Sequence, residues 1–499
     1  MSMSDQPLRS RLSGVSLIFA CGTALFSDGY ANGVISEVNT LLKRIYGDEV
    51  DAHNYLTVVS SVLFAGTVVG MIVFGYLSDK MGRKFGMMTA TAIVAFFSLL
   101  SAASEGAHHS VGGTLAMLSA CRFLLGIGVG AEYPCGSVSA SEQTEQKQIA
   151  KNAQHRWFAL ATSPSIFLRS LPMLTLVADA MIDIGFVISG FVPLVLFWIF
   201  GNNHLRAVWR MSLGLGFVPA MLVFIWRLSM EEPDSYKKSS MKKVKIPYML
   251  VIRRYWSSLA AISVTWFIYD FITYPFGIYS SSIVDSITGG SEALPVVFGW
   301  NIIINLFYVP GAVGGAFVVD YLGPKYCMIT GLLCQAVIGF IMSGAYVKLT
   351  SHIAAFAVVY GIFLSLGELG PGNCLGLLAS KTAPTAVRGQ FYGTAAAIGK
   401  IGAFVGTWAF PPMINAFGGA ATTRGNTGPF WVGSGLAIFS ALITFFFIRP
   451  LSHDGMAAED EKFREYLEAN GFDTSLMGTG ETTIVADDGF EDEKEKGSV

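Results

Sequence analysis

Charged residues are scarce in this chain. Of its 499 residues, 14% are Asp, Glu, Lys or Arg, whereas 52% are hydrophobic, and the mean hydropathy is +0.53. A soluble domain carries roughly a quarter charged residues, so much of this surface must face something other than water. The formal net charge of −2 also argues against a nucleic acid as a partner. These shortages predict a protein that is embedded in a lipid bilayer.

The short motifs that mark common enzyme families are also missing. The sequence contains no H-E-x-x-H, no paired C-x-x-C, no P-loop and no G-x-S-x-G string. The glycines at 126, 128 and 130 lie inside an apolar helix, which is the wrong context for a dinucleotide-binding turn. The six cysteines have no metal-ligand spacing and are interpreted as small buried residues. We therefore expect no enzyme, no metal and no other cofactor.

Long apolar runs are abundant. A helix needs about 20 mostly apolar residues to cross the hydrocarbon core of a bilayer. The sequence predicts about twelve such spans, near residues 14–38, 56–78, 86–104, 113–135, 180–200, 207–228, 257–283, 298–320, 327–347, 352–378, 389–414 and 429–449. The first run reads as an uncleaved helix rather than a signal peptide. The predicted fold class is an all-α polytopic membrane protein.

The spans divide into two halves. We place a six-helix bundle at 1–228, a basic connector at 229–256, a second six-helix bundle at 257–450 and an acidic tail at 451–499. The tail is expected to be largely disordered, apart from a short helix near residues 461–469. Lys and Arg concentrate in the connector and in the loops on the same side, which predicts that both termini are cytoplasmic.

A short motif repeats at the same point of each half. The string at 75–84 (G-Y-L-S-D-K-M-G-R-K) follows the second span, and V-D-Y-L-G-P-K at 319–325 follows the eighth. Repeated halves with a site between them are typical of secondary transporters that work by alternating access. The string at 75–84 matches the signature loop of the major facilitator superfamily. That resemblance implies a major facilitator fold.

A closer resemblance rests on five further strings. The fourth span, with A-E-Y-P-C-G-S-V at its end, resembles the phosphate and organophosphate proton symporters of that superfamily. The sequence is most similar to the fungal glycerophosphoinositol (glycerophosphodiester) permeases. The strings that carry this likeness are F-S-D-G-Y at 26–30, A-E-Y-P-C-G-S-V at 131–138, G-E-L-G-P-G-N at 367–373, R-G-Q-F-Y-G at 388–393 and G-K-I-G-A-F-V-G-T-W at 399–408.

The resemblance implies a monomeric, proton-coupled importer of glycerophosphodiesters in the plasma membrane, whose partners are an organophosphate anion, protons and the lipid bilayer. The phosphate-type proteins resemble G-P-N where this chain has Gly370-Pro-Gly372-Asn373, and the missing side chain at Gly372 favours a phosphodiester with a bulky alcohol. Inorganic phosphate is the nearest rival substrate. A polyol or sugar porter is a second alternative, although the sugar porters' P-E-S-P-R string is replaced here by M-E-E-P-D at 230–234.

Charged residues inside the spans are the first candidates for function, because burying a charge in a bilayer is costly. Asp28 and Arg122 are interpreted as a buried acid–base pair that responds to protonation, with a static structural pair as the alternative. Glu132 and Tyr133 suit proton transfer and hydrogen bonding to phosphate if they lie beside a cavity. The alternative for them is a packed helix end.

The seventh and eleventh spans carry the substrate candidates. Trp266, Asp270 and Tyr274 are spaced i, i+4, i+8 and share one helical stripe; core packing is the alternative, and the carboxylate argues against it. Lys400 has no charge within a turn, so it must pair with Asp270 or Glu368, or with a substrate phosphate. We favour an alternation between the acid and the phosphate.

The candidate functional residues fall into three groups. The proton-coupling candidates are Asp28, Arg122, Glu132 and Asp270. The substrate-binding candidates are Tyr133, Trp266, Asp270, Tyr274, Asn373 and Lys400. A cytoplasmic gate, in which Asp79 meets the N-terminus of a helix from the other half, comprises Gly75, Asp79, Gly82, Arg83, Glu142 and Arg388; a solvated turn is the alternative.

One stretch departs from the family pattern. Residues 163–179 lie in an apolar run that is too long for one span, just before the fifth span. A re-entrant or interfacial insertion is one explanation. Translated intron sequence in the gene prediction is the other, and we favour it.

Overall fold

The computed structural model describes residues 24–50, 54–144, 155–156, 181–230, 232–242, 244–287, 294–451, 455–475 and 477. Throughout these ranges the regular secondary structure is helical, without strands. The proposed insertion at 163–179 and the last residues of the tail lie outside the described residues.

In the described part of the chain, twelve long helices form the body of the protein. The first half contains α1 Leu25–Tyr46, α2 Tyr55–Met81, α3 Arg83–Ala102, α4 Val111–Gln143, α5 Met181–Phe200 and α6 Asn202–Arg227. The second half contains α7 Tyr248–Ile278, α8 Leu294–Leu322, α9 Pro324–Gly344, α10 Ile353–Thr382, α11 Arg388–Ala416 and α12 Thr423–Phe447.

Ten of these helices are long and apolar enough on their own to cross a bilayer. The other two, α1 and α11, carry the buried polar residues that form the site described below. The outer surface of the bundle is apolar, as a lipid-facing surface must be. Its exposed large side chains include Ile72, Phe96, Trp198, Leu222, Val337 and Phe446. The all-α, twelve-span expectation is confirmed.

Several shorter helices join or flank the spans. A helix at Asp234–Ser239 (the connector helix) lies between the halves, and a helix at Gly455–Ala469 (the tail helix) follows α12. Others are Ser280–Ile287, Tyr346–Thr350 and the 3-10 turns Gly47–Val50, Ala107–His109 and Thr385–Val387. We call the end of the bundle that bears the connector and tail helices the connector side, and the opposite end the far side.

Three boundaries differ from the sequence-based expectation. Helix α1 continues to Tyr46 instead of ending near residue 38, because its last turns pack against the second half. Helix α7 begins at Tyr248, inside the segment expected to be connector. The short helix expected near residues 461–469 of the tail is present and begins earlier, at Gly455, and its buried Met456, Phe463 and Leu467 hold it against the bundle.

Glycines allow α2 and α4 to cross in close contact. A Cβ at Gly66 would overlap the carbonyl of Phe123, and a Cβ at Gly126 would overlap the carbonyl of Leu63. Because lipid provides no hydrophobic driving force between helices, such backbone approach supplies the packing contacts that hold spans together. This explains why the glycines inside the fourth span are structural rather than part of a nucleotide-binding turn.

A wide turn interrupts the fourth helix of each half at the same depth. In α4 it is the π-helical turn Tyr133–Ser137, and in α10 it is Glu368–Gly372. Each turn contains a proline, Pro134 or Pro371, which cannot donate the usual backbone hydrogen bond. Such π-bulges are frequent at functional sites. The two turns direct Tyr133 and Glu368 toward the space between the halves.

Candidate functional site

A closely walled cavity of about 80 Å³ lies between the two halves. Helices α1, α4 and α5 contribute to its wall from the first half, and α7, α8, α10 and α11 contribute from the second. The six substrate-binding candidates all lie on this wall: Tyr133, Trp266, Asp270, Tyr274, Asn373 and Lys400. The structure therefore brings together side chains that are far apart in the sequence.

Lys400 is the centre of the cavity's charge. Its ammonium lies 3.6 Å from Asp270 Oδ2 and 3.9 Å from Asp28 Oδ2, and it donates a hydrogen bond to the Tyr274 hydroxyl. It also lies over the rings of Tyr274 and Tyr133, at 3.9 and 5.2 Å from their centroids. A buried ammonium needs anionic or π-electron partners. The sequence analysis expected Asp270 or Glu368 as the partner of Lys400, and Asp270 is a neighbour of the ammonium. The contact with Asp28 was not predicted.

Asp28 connects this cluster to the first half. The Tyr133 hydroxyl donates to its Oδ2, and the Asn32 side-chain amide donates to its Oδ1 at 2.5 Å. Because Asp28 belongs to α1 and Lys400 to α11, the ion pair between them bridges the halves. Both groups are almost completely buried.

The indole of Trp266 packs beside Lys400. A Cβ at position 399 would lie 2.5 Å from its Cδ1, so Gly399 makes the space that the ring occupies. Trp266 also makes an edge contact with Tyr392, at 5.6 Å between ring centroids. The i, i+4, i+8 stripe thus faces the cavity, as the spacing predicted.

Glu368 forms a second acidic point on the cavity wall. Its Oε1 accepts a hydrogen bond from the Tyr269 hydroxyl at 2.7 Å. A Cβ at Gly372 would overlap its Oε2, so the glycine makes the space that this carboxylate occupies. The side-chain amide of Asn373 donates to the carbonyls of Glu368 and Ala312, at 2.7 and 3.1 Å. Its Oδ1 accepts no hydrogen bond from the described residues.

The proposed pair between Asp28 and Arg122 is wrong. Arg122 donates instead to two backbone carbonyls, that of Val59 at 2.8 Å and that of Ala31 at 3.1 Å. The fourth helix directs the guanidinium toward the backbones of α1 and α2, away from the Asp28 carboxylate. Arg122 therefore connects α4 to α1 and α2 within the first half and does not line the cavity.

Glu132 also lies away from the cavity. Its Oε1 accepts from Arg227 at 2.7 Å in a buried ion pair that joins the end of α6 to α4. Arg227 additionally donates to the Met87 carbonyl at 3.2 Å. The expectation that Glu132 and Tyr133 share one cavity is wrong because adjacent residues point about 100° apart on a helix, so only the phenol faces inward.

The connector side is closed by contacts between the halves. Asp79 accepts from the backbone N–H groups of Gly389 at 3.0 Å and Gln390 at 2.9 Å, at the N-terminus of α11. This is the contact that the signature loop predicted, a carboxylate at the positive end of a helix from the other half. Gly75 permits the approach, because a Cβ there would lie 2.9 Å from the Gly389 carbonyl oxygen.

A buried ion network surrounds that contact. Glu142 lies 3.0 Å from Arg83 and 3.0 Å from Arg388, and Arg83 lies 2.5 Å from Asp79. All four side chains are fully buried, and Arg388 is the residue contributed by the second half. Gly82 adopts a φ of 120°, which only glycine accepts readily, so that the chain turns from α2 into α3.

Two elements that sequence reasoning did not assign to the gate also contact it. In the tail helix, Asp460 accepts from the Thr385 N–H at 2.6 Å and its hydroxyl at 2.7 Å, and lies 3.8 Å from Arg388. Burial raises the pKa of Asp460 while the neighbouring guanidinium lowers it, and burial prevails. In the connector helix, the Tyr236 hydroxyl donates to the Asp79 carbonyl at 3.0 Å.

The far side is closed as well. Thr40 and Ser281 hydroxyls lie 3.0 Å apart, and Arg44 pairs with Asp285 at 3.2 Å. Deeper in, the Asn301 amide donates to Glu37, which is fully buried. Contacts between the halves therefore lie on both sides of the cavity. Within the described ranges, no group of three or more metal-ligating side chains gathers anywhere.

Within the described residues, twelve long helices in two related halves surround a central cavity, and the signature loop contacts the other half on the connector side. This is the architecture of a membrane transporter of the major facilitator type. The sequence profile of the sugar (and other) transporter family matches residues 15–161 and 230–454. The chain belongs to this family, and it is a transporter rather than an enzyme.

Several individual proteins are similar to this chain along most of its length. The glycerophosphocholine permease GIT4 of Candida albicans is 47% identical over 464 residues, covering 92% of this chain and 83% of that protein. The major glycerophosphoinositol permease GIT3 of the same organism is 45% identical, covering 93% and 83%. The inorganic phosphate transporter PT2 of Toxoplasma gondii is more distant, at 28% identity over 87% of this chain and 72% of that protein.

Solved structures share the fold. The proton:xylose symporter XylE bound to 6-bromo-6-deoxy-D-glucose matches with a TM-score of 0.71 at 16% sequence identity, over 91% of this chain and 99% of that one. At this identity the likeness concerns the fold alone, and it supports the two-bundle architecture described above.

Proposed function

We propose that this protein imports glycerophosphodiesters together with protons. The connector side faces the cytoplasm, both termini are cytoplasmic, and the membrane is the plasma membrane. A monomer is sufficient, because the cavity and both gates are built within one chain.

The observation that carries the proposal is Lys400 on the wall of the cavity between the halves. Its ammonium is flanked by the phenols of Tyr133 and Tyr274 and by the indole of Trp266, all of which are suited to hydrogen bonding with phosphate oxygens. Its pair with Asp270 is long, at 3.6 Å. A phosphate anion that enters the cavity would take over the ammonium from the carboxylates.

Charge balance requires a proton for that exchange. With Asp28, Asp270 and Lys400 all ionised, the cluster carries a net charge of −1 (+1 − 2). A phosphodiester would make it −2 among almost completely buried side chains, where uncompensated charge is expensive. Protonation of Asp28 or Asp270 restores the balance, which couples proton entry to anion binding. One charge moved through 100 mV supplies about 2.3 kcal/mol.

The choice of a diester over inorganic phosphate rests on the extent of the cavity wall. The wall continues from Lys400 to Glu368 and Gly372, where an alcohol group attached to the phosphate would lie, whereas inorganic phosphate would contact the Lys400 side alone. Relatives named as glycerophosphocholine and glycerophosphoinositol permeases support the same substrate class. A sugar or polyol alone would not need the ammonium.

Uptake measurements test the proposal. The full chain is expressed in yeast cells that lack their own glycerophosphodiester uptake, and radiolabelled glycerophosphodiester is supplied at external pH 5 and 7, with and without a protonophore. We expect uptake that is faster at acidic pH and abolished by the protonophore. Lys400→Met should remove transport, whereas Lys348→Met, in the short helix Tyr346–Thr350 at the far side, should not. Uptake indifferent to pH and protonophore would refute coupling, and normal uptake by the Lys400 variant would refute the phosphate role.

A further inference from the structure

A second cavity, of about 510 Å³, lies on the connector side. Its wall combines the first turns of α7, the end of α10, the segment after α12 and the tail helix. Within the described part of the chain it shares no lining residue with the central cavity, and the proposed transport cycle does not use it. We call it the basic cavity, after the cations on its described wall: Arg254, Lys381, Arg449 and Lys462.

The basic cavity carries an excess of positive charge. Among the described residues of its wall, Glu459 is the only acid. The Glu459 carboxylate lies 3.1 Å from Arg254 and accepts a hydrogen bond from the Tyr255 hydroxyl at 2.5 Å, so it is already engaged. The described wall therefore has a formal charge of +3 (+4 − 1). Because like charges repel, such a wall favours a ligand with several negative charges.

The tail helix divides its charged side chains between two cavities. Lys462 and Glu459 line the basic cavity, whereas Asp460 and Glu461 line a different cavity beside the connector helix. The two acids that lie closest to Lys462 in the sequence are therefore absent from the described wall of the basic cavity. This division leaves the positive charge of that wall in place although the tail is rich in acids.

The basic cavity lies where lipid-exposed side chains begin. Phe447 at the end of α12 is 63% exposed and belongs to the wall of the cavity. On the first turns of α7, Ile252 and Trp256 are 57% and 63% exposed. Exposed aromatic side chains beside cations are typical of the layer in which the hydrocarbon core of a bilayer meets the headgroups. A lipid in this position places its headgroup in the cavity and its acyl chains against α7 and α12.

Phosphate groups match this chemistry. Guanidinium and ammonium groups bind phosphate oxygens through charge-assisted hydrogen bonds, and basic pockets between spans on the cytoplasmic side of a membrane bind phosphorylated headgroups. We propose that the basic cavity binds the headgroup of an anionic lipid that carries more than one phosphate group, with Arg449 and Lys462 as direct contacts. A lipid with a single negative charge would leave most of the +3 charge unmatched.

A lipid bound here would act on the closed connector side. Its headgroup would join Lys462 of the tail helix to Arg449 at the end of α12. Next along the tail helix from Glu459, Asp460 accepts from the Thr385 N–H and lies 3.8 Å from Arg388 of the gate. The lipid would therefore hold the tail helix at the position in which it contacts the gate. This binding depends on the proposed function only for the orientation of the chain, and not for its substrate.

The first test compares three soluble probes on the full chain purified in detergent. The probes are dioctanoyl phosphatidylinositol 4,5-bisphosphate, dioctanoyl phosphatidylserine and inositol 1,4,5-trisphosphate, and the rise in unfolding temperature during each titration gives a Kd. We expect the Kd of the bisphosphate lipid to be at least tenfold lower than the other two. Equal binding of the serine lipid would overturn the requirement for several phosphates. Equal binding of the free trisphosphate would overturn the assignment to a lipid.

The second test locates the binding site with the same assay. The double variant Arg449→Gln/Lys462→Gln removes two exposed cations of the wall, and Lys245→Gln, an exposed lysine of the connector outside this wall, is the matched control. We expect the Kd of the bisphosphate lipid to rise at least tenfold in the double variant and to change less than twofold in the control. Lys400→Met should also change it less than twofold, because the lipid does not occupy the central cavity.

Three results would overturn the inference: unchanged binding by the double variant, an equal loss in the Lys245 variant, or a tenfold loss in the Lys400 variant. The unfolding temperature without lipid shows that each variant is folded, since exposed side chains contribute little to stability. Because the assay measures binding and not uptake, a failure of glycerophosphodiester transport would leave its outcome unaffected.

Discussion

Glu142 is the residue at which the closed connector side is most sensitive to a single change. Its carboxylate is the shared partner of Arg83 in the first half and Arg388 in the second, at 3.0 Å from each, and all three are buried. Glu142→Gln leaves both guanidiniums without their common anion. Removing one partner of a buried ion pair costs about 3–5 kcal/mol. When the connector side opens, the guanidiniums reach water, so this cost applies to the closed state alone.

The expected result is therefore a change of conformation. A penalty of that size shifts the closed-to-open equilibrium by at least about a hundredfold. Spin labels at Met81 and Met249, which are 46% and 80% exposed on the connector side of α2 and α7, report the separation of the halves. Double electron–electron resonance on a cysteine-free background measures the distance between the two labels. We expect Glu142→Gln to add a population in which this distance is longer. Glu105→Gln, which breaks an exposed pair within one half, is the control. A folded Glu142 variant with an unchanged distance distribution would refute the reasoning.

Three further predictions follow from single contacts. Gly372→Ala places a methyl group against the Glu368 carboxylate and should reduce substrate uptake at least tenfold at normal surface abundance. Gly299→Ala, whose methyl group meets open space, is the control and should leave uptake unchanged. Equal uptake by the two variants would contradict this prediction. Arg227→Met leaves Glu132 buried and unpaired, so it should destabilise the protein by about 3–5 kcal/mol in thermal unfolding, and the added change Glu132→Gln should recover part of the loss. Phe463→Asp removes a fully buried anchor, so limited proteolysis should cut the tail helix in the variant and spare it in the wild type.

Local features of the site could be predicted from the sequence. The stripe of Trp266, Asp270 and Tyr274 depends only on the period of a helix, and the structure places it on the cavity wall. The contact of Asp79 with the start of α11 follows from the charge at a helix N-terminus once the repeat identifies the two halves. In both cases one helix, or one helix end, determines the geometry.

Pairings between helices could not be predicted in the same way. Arg122 and Asp28 are at compatible depths, yet the rotation of α4 directs the guanidinium to the carbonyls of Val59 and Ala31. Nothing in the sequence pairs Glu132 with Arg227, which is 95 residues later in the chain and at the end of another helix. The rotation of a helix about its axis depends on packing by small residues along the whole interface. Sequence periodicity shows which residues share a face of the helix, but it does not show which other helix that face contacts.

One helix connects the substrate site to the gate. Helix α11 begins at Arg388 and carries Lys400 twelve residues later (400 − 388), about 18 Å along its axis. Its first N–H groups bind Asp79, and a Cβ at Gly393 would overlap the backbone of Met71, so this helix packs tightly on α2 along the connector side. Under the proposed mechanism the partners of Lys400 change when an anion enters, so the helix that contacts the anion is the same one whose N-terminus leaves Asp79 when the connector side opens.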